Sequence, residues 1–263
     1  MARKKAKSGK IPPKASRKAP KKSGKNRKPA LKLVPQVKPQ AKFHDGLEGV
    51  IALQSAISTI IDSDLYYTGY NIHDLAENAS FEEVVHLLWE GRLPKQNELR
   101  QLHEKLAGHR SIDPVMVDLI RRLQEKKHPM ALLRTLVSSA AHFDSDPNVT
   151  KPEAATEKAI HLTAQFPTIV AAYERIRQGK EPIAPDPSLS HAACFLYMLT
   201  GKRPTPEETD IFDTALVLHA DHELNASTFA ARVTAATLSD VYSSVTSALG
   251  ALKGPLHGGA NRK

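Results

Sequence analysis

From Ser80 onward the apolar residues recur at helical spacing, whereas the stretch before it holds short β-branched and aromatic blocks. Ala56 to Ile61 and Leu65 to Tyr70 are two such blocks, separated by Asp62-Ser63-Asp64, and they predict one small hairpin. Ser80-Phe81-Glu82-Glu83 has the spacing of a capping box and opens a helix ending near Gly91. A second amphipathic helix is expected over Asn97 to Ala107, stopped at Gly108. Asp113-Pro114 then places a cap and an N1 proline before Val115, Leu119, Ile120 and Leu123. The run from Pro129 is mostly apolar and predicts a buried helix, followed by a polar loop at Asp144 to Thr150. Helices at about 153–165 and 168–178 are expected to meet at Gln165-Phe166-Pro167, because proline removes a helical donor. Ser188 to Leu199 predicts another helix, and Thr205-Pro206-Glu207-Glu208 opens one running to about His219. Ser227 to Lys253 carries only Arg232, Asp240 and Lys253 as charges and reads as one long buried helix. With no β-α-β alternation, the fold class is all-α with a β-hairpin near the start.

The charge distribution changes the picture at one end. The chain of 263 residues has a formal net charge of +9, but sixteen of its 37 Lys and Arg lie in residues 1–42, which contain no Asp or Glu. The remaining 21 basic residues face all 28 acidic ones, so the body carries a net charge of −7. Residues 1–42, rich in Lys, Pro, Ala, Ser and Gly, cannot offset the entropy of ordering and are expected to be a disordered tail and linker. The absence of an apolar run after the charges argues against a secretory signal. The excess of Lys over Arg and the interrupting prolines argue against a transit peptide. A solubilising extension and an electrostatic tether to nucleic acid or another polyanion both remain open. Residues 43–263 are expected to form the folded body. A single cysteine, Cys194, excludes an internal disulfide framework and fits a reducing, cytoplasmic setting. No apolar run is long enough to span a membrane.

Most of the twelve histidines are discounted: His86, His103, His109, His142, His161 and His191 lie in or beside amphipathic helices with no partner at a telling spacing. Two stretches differ. In Leu218-His219-Ala220-Asp221-His222-Glu223-Leu224-Asn225-Ala226-Ser227, ionisable and polar groups crowd a helix end. His219 and His222 are i,i+3 and no second His or Cys cluster completes a tetrahedral site, so a metal is not expected. A carboxylate pocket built from His222, Asn225 and the following helix N-terminus competes with a plain hydrogen-bonded junction. The second stretch, Gly254-Pro255-Leu256-His257-Gly258-Gly259-Ala260-Asn261, holds an imidazole between glycines and lacks the ending of a Walker phosphate loop. A neutral imidazole at a helix N-terminus is a good hydrogen-bond donor to a developing enolate oxygen. The pair His222 and His257 therefore suggests binding of a carboxylate or carbonyl compound with enolate stabilisation.

LHADHELNAS with GPLHGGAN, preceded by HPMALLRT and by GLEGV, ISTIID and YYTGYNIHDLA, resembles the citrate synthase family, closest to its bacterial citrate and 2-methylcitrate synthases. The resemblance covers roughly Phe43 to Asn261. It implies a helical large domain, and condensation of the enolate of acetyl-CoA or propionyl-CoA with oxaloacetate. It also implies a homodimer and no metal or prosthetic group, acetyl-CoA being a substrate. By motif, His222 matches the histidine that holds oxaloacetate, with Asn225 beside it, and His257 matches the catalytic enolate-stabilising histidine. His219, Gly258 and Asn261 are possible supporting residues. After GPLHGGAN the family continues into a small domain bearing an aspartate base, a further histidine and carboxylate-clamping arginines. No residue here matches them, so the chain is expected to be an N-terminal portion of the subunit with negligible activity alone.

Overall fold

The computed structural model describes residues 55–124, 128–149 and 151–258. The basic tail and linker, the start of the body at Phe43, and Asn261 lie outside the described residues.

The chain opens with three antiparallel strands in the order β1-β2-β3: β1 Ser58–Ile61, β2 Asp64–Tyr67 and β3 Tyr70–Asn71. Ser58 faces Tyr67 and Ile61 faces Asp64, and the tight turn between them takes positive φ at Asp62 (50°) and Ser63 (78°). That is the backbone twist short hairpin loops favour. A second such turn, Thr68 (φ 48°) and Gly69 (φ 87°), cuts the expected second strand and creates β3. The sheet is thus a meander rather than a single hairpin.

Ten α-helices follow among the described residues. Asn71 caps α1 (Ile72–Asn78), and the Ser80/Glu83 capping box opens α2 (Phe81–Glu90), which ends on Gly91 at φ 73°. The remaining early helices are α3 (Gln96–Gly108), α4 (Pro114–Leu123), capped by Asp113, and α5 (Pro129–Ala140). A 3₁₀ turn, Ala141–Phe143, takes the end of the apolar run after α5.

Two expectations fail here. The region 152–177 is one helix, α6 (Pro152–Arg177), with Pro167 inside it. One lost backbone bond is outweighed because packing grips the helix on both sides of the proline. Leu162 and Ile169 enter the same core, Gln165 Nε2 donates to Ser111 O (3.2 Å), and Thr168 Oγ1 donates to Arg110 O (2.7 Å). Conversely, the weakly charged segment after Ser227 is two helices, α9 (Ala226–Ala236) and α10 (Val241–Leu252). Leu238 at φ 62° breaks the path, and Asp240 restarts it by accepting from Ser243 N (2.9 Å). Nor is the segment uniformly buried: Phe229, Val233 and Leu238 are exposed.

Between these lie α7 (His191–Thr200) and α8 (Pro206–Leu218), both capped as their sequences suggest, by Ser190 and by the Thr205/Glu208 box. The largest core joins α4, α5, α6 and α10 through residues such as Ile120, Leu136, Ile169 and Leu249. A second core joins the sheet to α1, α2 and α8 through Tyr67, Ile72, Leu87 and Val217. The first core fixes the helix that leads to His257, and the second fixes the helix that leads to His222. The architecture is all-α with a small sheet at the start of the described body. No helix among the described residues is long and apolar enough to cross a membrane.

Candidate active site

The helix α8 ends at Leu218 with His219 as its C-cap. The exposed His219 ring has its Nδ1 2.7 Å from Ala215 O, so as a donor it is satisfied by its own helix. The chain then bends sharply, with Glu223 in the left-handed region at φ 57°. Two side chains and one backbone N–H of the sheet reach this bend. Ser58 Oγ donates to Asp221 Oδ1. Tyr67 OH lies 2.9 Å from Asp221 O and 3.2 Å from Val217 O, and accepts from Asp221 N at 3.2 Å. Ile60 N donates to Glu223 Oε1 at 3.0 Å, and Glu223 N donates to Asp221 Oδ1 at 2.9 Å. Burial pushes the Tyr67 phenol above its ordinary range, with the Asp221 charge adding to that and the backbone bond to Asp221 opposing it. The neutral hydroxyl therefore occupies this position. His222, between the two pinned residues, is exposed, and its ring makes no hydrogen bond among the described residues.

Three residues on, Asn225 caps α9: its Oδ1 accepts from Thr228 N (2.9 Å) and lies 2.7 Å from Ser227 Oγ. Capping commits the amide oxygen and leaves the amide NH₂ as the group able to donate outward. The first turn of α9 is also where the second motif arrives. After α10 the chain turns through Gly254-Pro255-Leu256, with His257 N donating to Gly254 O (3.1 Å). The half-buried His257 ring places Nε2 3.0 Å from Ser227 Oγ. Gly258 is required by close approach, since a Cβ there would sit 2.6 Å from Leu252 Cδ1 and 2.8 Å from Leu252 O. His257 thus reaches the first turn of one eleven-residue helix capped by Asn225, and His222 lies three residues before that cap in the chain. That end presents unpaired N–H groups and a positive dipole end to anions.

Among the described residues no group of three or more His, Cys, Asp or Glu side chains could hold a metal ion. Cys194 is buried and free within α7. Ser227, Ser58, Tyr67 and Asp221 have no role in the sequence reading. Ser227 carried a local signal, two residues after the cap Asn225. The other three act across more than 150 residues of chain, which no spacing rule reveals.

The helical body thus brings its second histidine motif back to the helix that its first motif opens. A family model described as "Citrate synthase, C-terminal domain" matches residues 46–263. Citrate synthase 2 of Bacillus subtilis is 52% identical over 217 residues, covering 82% of this chain and 58% of that protein. The crystal structure of citrate synthase from Pyrobaculum aerophilum superposes with a TM-score of 0.78 at 41% identity, covering 87% of this chain and 61% of that one. That of the Thermoplasma acidophilum enzyme, in a ternary complex with carboxymethyl coenzyme A and oxaloacetate, gives 0.77 at 33% identity over 83% of this chain and 58% of that one. The chain belongs to the citrate synthase family. It spans a little under three fifths of the length of the curated relatives it matches, among which are proteins named 2-methylcitrate synthase.

Proposed function

We propose that this chain supplies the oxaloacetate-holding and enolate-stabilising part of a citrate synthase site, in the reaction that joins acetyl-CoA to oxaloacetate and releases citrate and CoA. The observation that carries the reading is the 3.0 Å contact between His257 Nε2 and Ser227 Oγ, which brings GPLHG onto the helix that begins in HADHELNAS. In this reading His222 and the Asn225 amide hold oxaloacetate carboxylate oxygens in front of the positive end of α9. His257 donates to the thioester oxygen as negative charge develops there during enolisation.

The donor role sets a condition on protons. A neutral imidazole that donates through Nδ1 has an unprotonated Nε2, so Ser227 must turn its single hydroxyl proton toward His257. Asn225 Oδ1 then keeps only its Thr228 N–H partner. The proton removed from the acetyl carbon needs a carboxylate base within hydrogen-bond reach. None of the residues matched by motif supplies one. The expected behaviour of these 263 residues is therefore binding of oxaloacetate without turnover, and no bound cofactor is called for.

Oxaloacetate should raise the unfolding midpoint of the chain by mass action, and His222→Ala should abolish the rise. The reading fails if the midpoint is insensitive to oxaloacetate, or equally sensitive in the variant. Oxaloacetate-dependent thiol release abolished by His257→Ala would overturn the expected lack of turnover. Propionyl-CoA in place of acetyl-CoA is the alternative acyl donor, giving 2-methylcitrate.

A second reading rests on the exposed Ile211, Phe229, Val233 and Leu238 of the α8 and α9 region. Here the chain is a non-catalytic helical dimer whose tail at 1–42 binds a polyanion. Exposed apolar side chains of this size favour self-association, and a homodimer is also what we propose for the enzyme, in the cytoplasm. Salt-sensitive retention on DNA that disappears with residues 1–42, in a protein indifferent to oxaloacetate, would favour the second reading.

A further inference from the structure

We propose that Tyr67 and Ser58, a facing pair on the first two strands, are positioning residues that aim His222 at oxaloacetate; the inference rests on the reading that His222 is an oxaloacetate ligand. The cross-strand register sets Ser58 opposite Tyr67, and both hydroxyls converge on Asp221, the residue immediately before His222. Between them they engage the Asp221 carboxylate, carbonyl and N–H, so each polar group of that residue has a partner in the sheet. The residue on the other side, Glu223, is held by Ile60 N–H. Glu223 also sits at φ 57°, a conformation that an L-residue keeps only where its surroundings impose it. The backbone carrying His222 therefore takes its direction from the sheet rather than from α8 or α9.

The side chains themselves argue the same way. Tyr67 is fully buried, and a phenylalanine ring would fill that core position equally well. Its hydroxyl is what singles it out, and the partners of that hydroxyl are Val217 and Asp221 of the loop. Ser58 is buried in a strand, where a β-branched apolar residue would pack better. Both positions have exchanged packing for a hydroxyl aimed at one residue.

The test uses the full chain with uniform ¹⁵N labelling, reading the histidine ring resonances while oxaloacetate is added. Tyr67→Phe should weaken oxaloacetate binding about five- to tenfold, the equivalent of one lost buried hydrogen bond. The His222 ring signals should shift in the ligand-free variant while those of His257 stay in place. Ser58→Ala should show the same pattern, and Ser58→Thr, which keeps the hydroxyl, should restore affinity. The Ser58 pair carries the test if Tyr67→Phe loses its helical circular dichroism. Affinities within twofold of wild type, with only the ligand-free unfolding midpoint lowered, would reduce both residues to a structural role and overturn the proposal. If wild type itself does not respond to oxaloacetate, the assignment of His222 as a ligand falls, and the positioning role with it. A normal wild-type response shared by every variant would refute the positioning role alone.

Discussion

Lys158→Met probes the anchor at the start of the helix that delivers His257. Lys158 lies on α6 and Asp144 in the loop after the 3₁₀ turn, with side chains only 8% and 10% exposed. Lys158 Nζ donates to Asp144 Oδ2 and to Asp146 O, each at 2.6 Å. The same carboxylate oxygen accepts from Tyr242 OH at 2.8 Å, and Tyr242 is in the first turn of α10. Removing one partner of a buried ion pair commonly costs ~3–5 kcal/mol, because the other charge stays buried. Asp144 would keep Tyr242 and the Asp146 N–H, so the low end applies, about 3 kcal/mol. For a body of this size that lowers the unfolding midpoint by roughly 6–12 °C.

The pH dependence gives a second handle. Burial alone would raise the Asp144 carboxyl, but the bonds from Lys158, Asp146 N–H and Tyr242 together hold it below the usual carboxylate range. Its stabilising contribution in wild type is therefore present above the unfolded value and is lost as pH falls through the folded one. Without Lys158 burial prevails and the folded value rises, so protonation relieves the variant as pH falls. Urea unfolding followed by circular dichroism at pH 7 and pH 4.5 should show the Lys158→Met deficit narrowing at the lower pH. Asp144→Asn combined with Lys158→Met should recover most of it at pH 7. A deficit below about 0.5 kcal/mol, or one that widens on acidification, would refute the reasoning.

Three further outcomes follow from the same structure. Gly258→Ala forces a Cβ to within 2.8 Å of Leu252 O, so the turn must move and the His257–Ser227 contact should be lost; the His257 ring resonance reports it. The carboxyl of Asp213 is pushed up to about 6, chiefly by burial and then by Glu82, Asp210 and Glu83, against a bond from Phe81 N–H. The folded state thus holds a proton that the unfolded chain releases, and stability falls as pH rises from about 4 to about 6. Asp213→Asn should stabilise by ~1 kcal/mol at pH 7, a figure discounted because the group is half-exposed, with no gain near pH 3.5, as denaturant titrations can show. Leu136→Ala, at a fully buried position of the main core, should cost ~3 kcal/mol in the same assay.

Three helix starts were legible from capping groups that are near neighbours in sequence: Ser80 with Glu83, Asp113 before Pro114, and Thr205 with Glu208. The unbroken helix through Pro167 and the break at Leu238 were not. Pro167 announces a local cost but says nothing of the core contacts that overcome it. The scarcity of charge after Ser227 suggested one buried helix, although Asp240 and Ser243 already held the cap that divides it. Both histidine motifs were legible as motifs, with His222 and His257 the residues singled out. Their meeting through Ser227, and the hold of the sheet on Asp221, depend on contacts across 30 and about 160 residues, which only the folded chain brings together.

HADHELN and GPLHG are proposed to form one substrate site, and ring-resolved ¹⁵N NMR of the chain reads this out. Saturating oxaloacetate should move the ring signals of His222 and His257 and leave those of exposed His73 unchanged. If both site histidines stay fixed, or if His73 moves as far as they do, the two motifs do not form one oxaloacetate site.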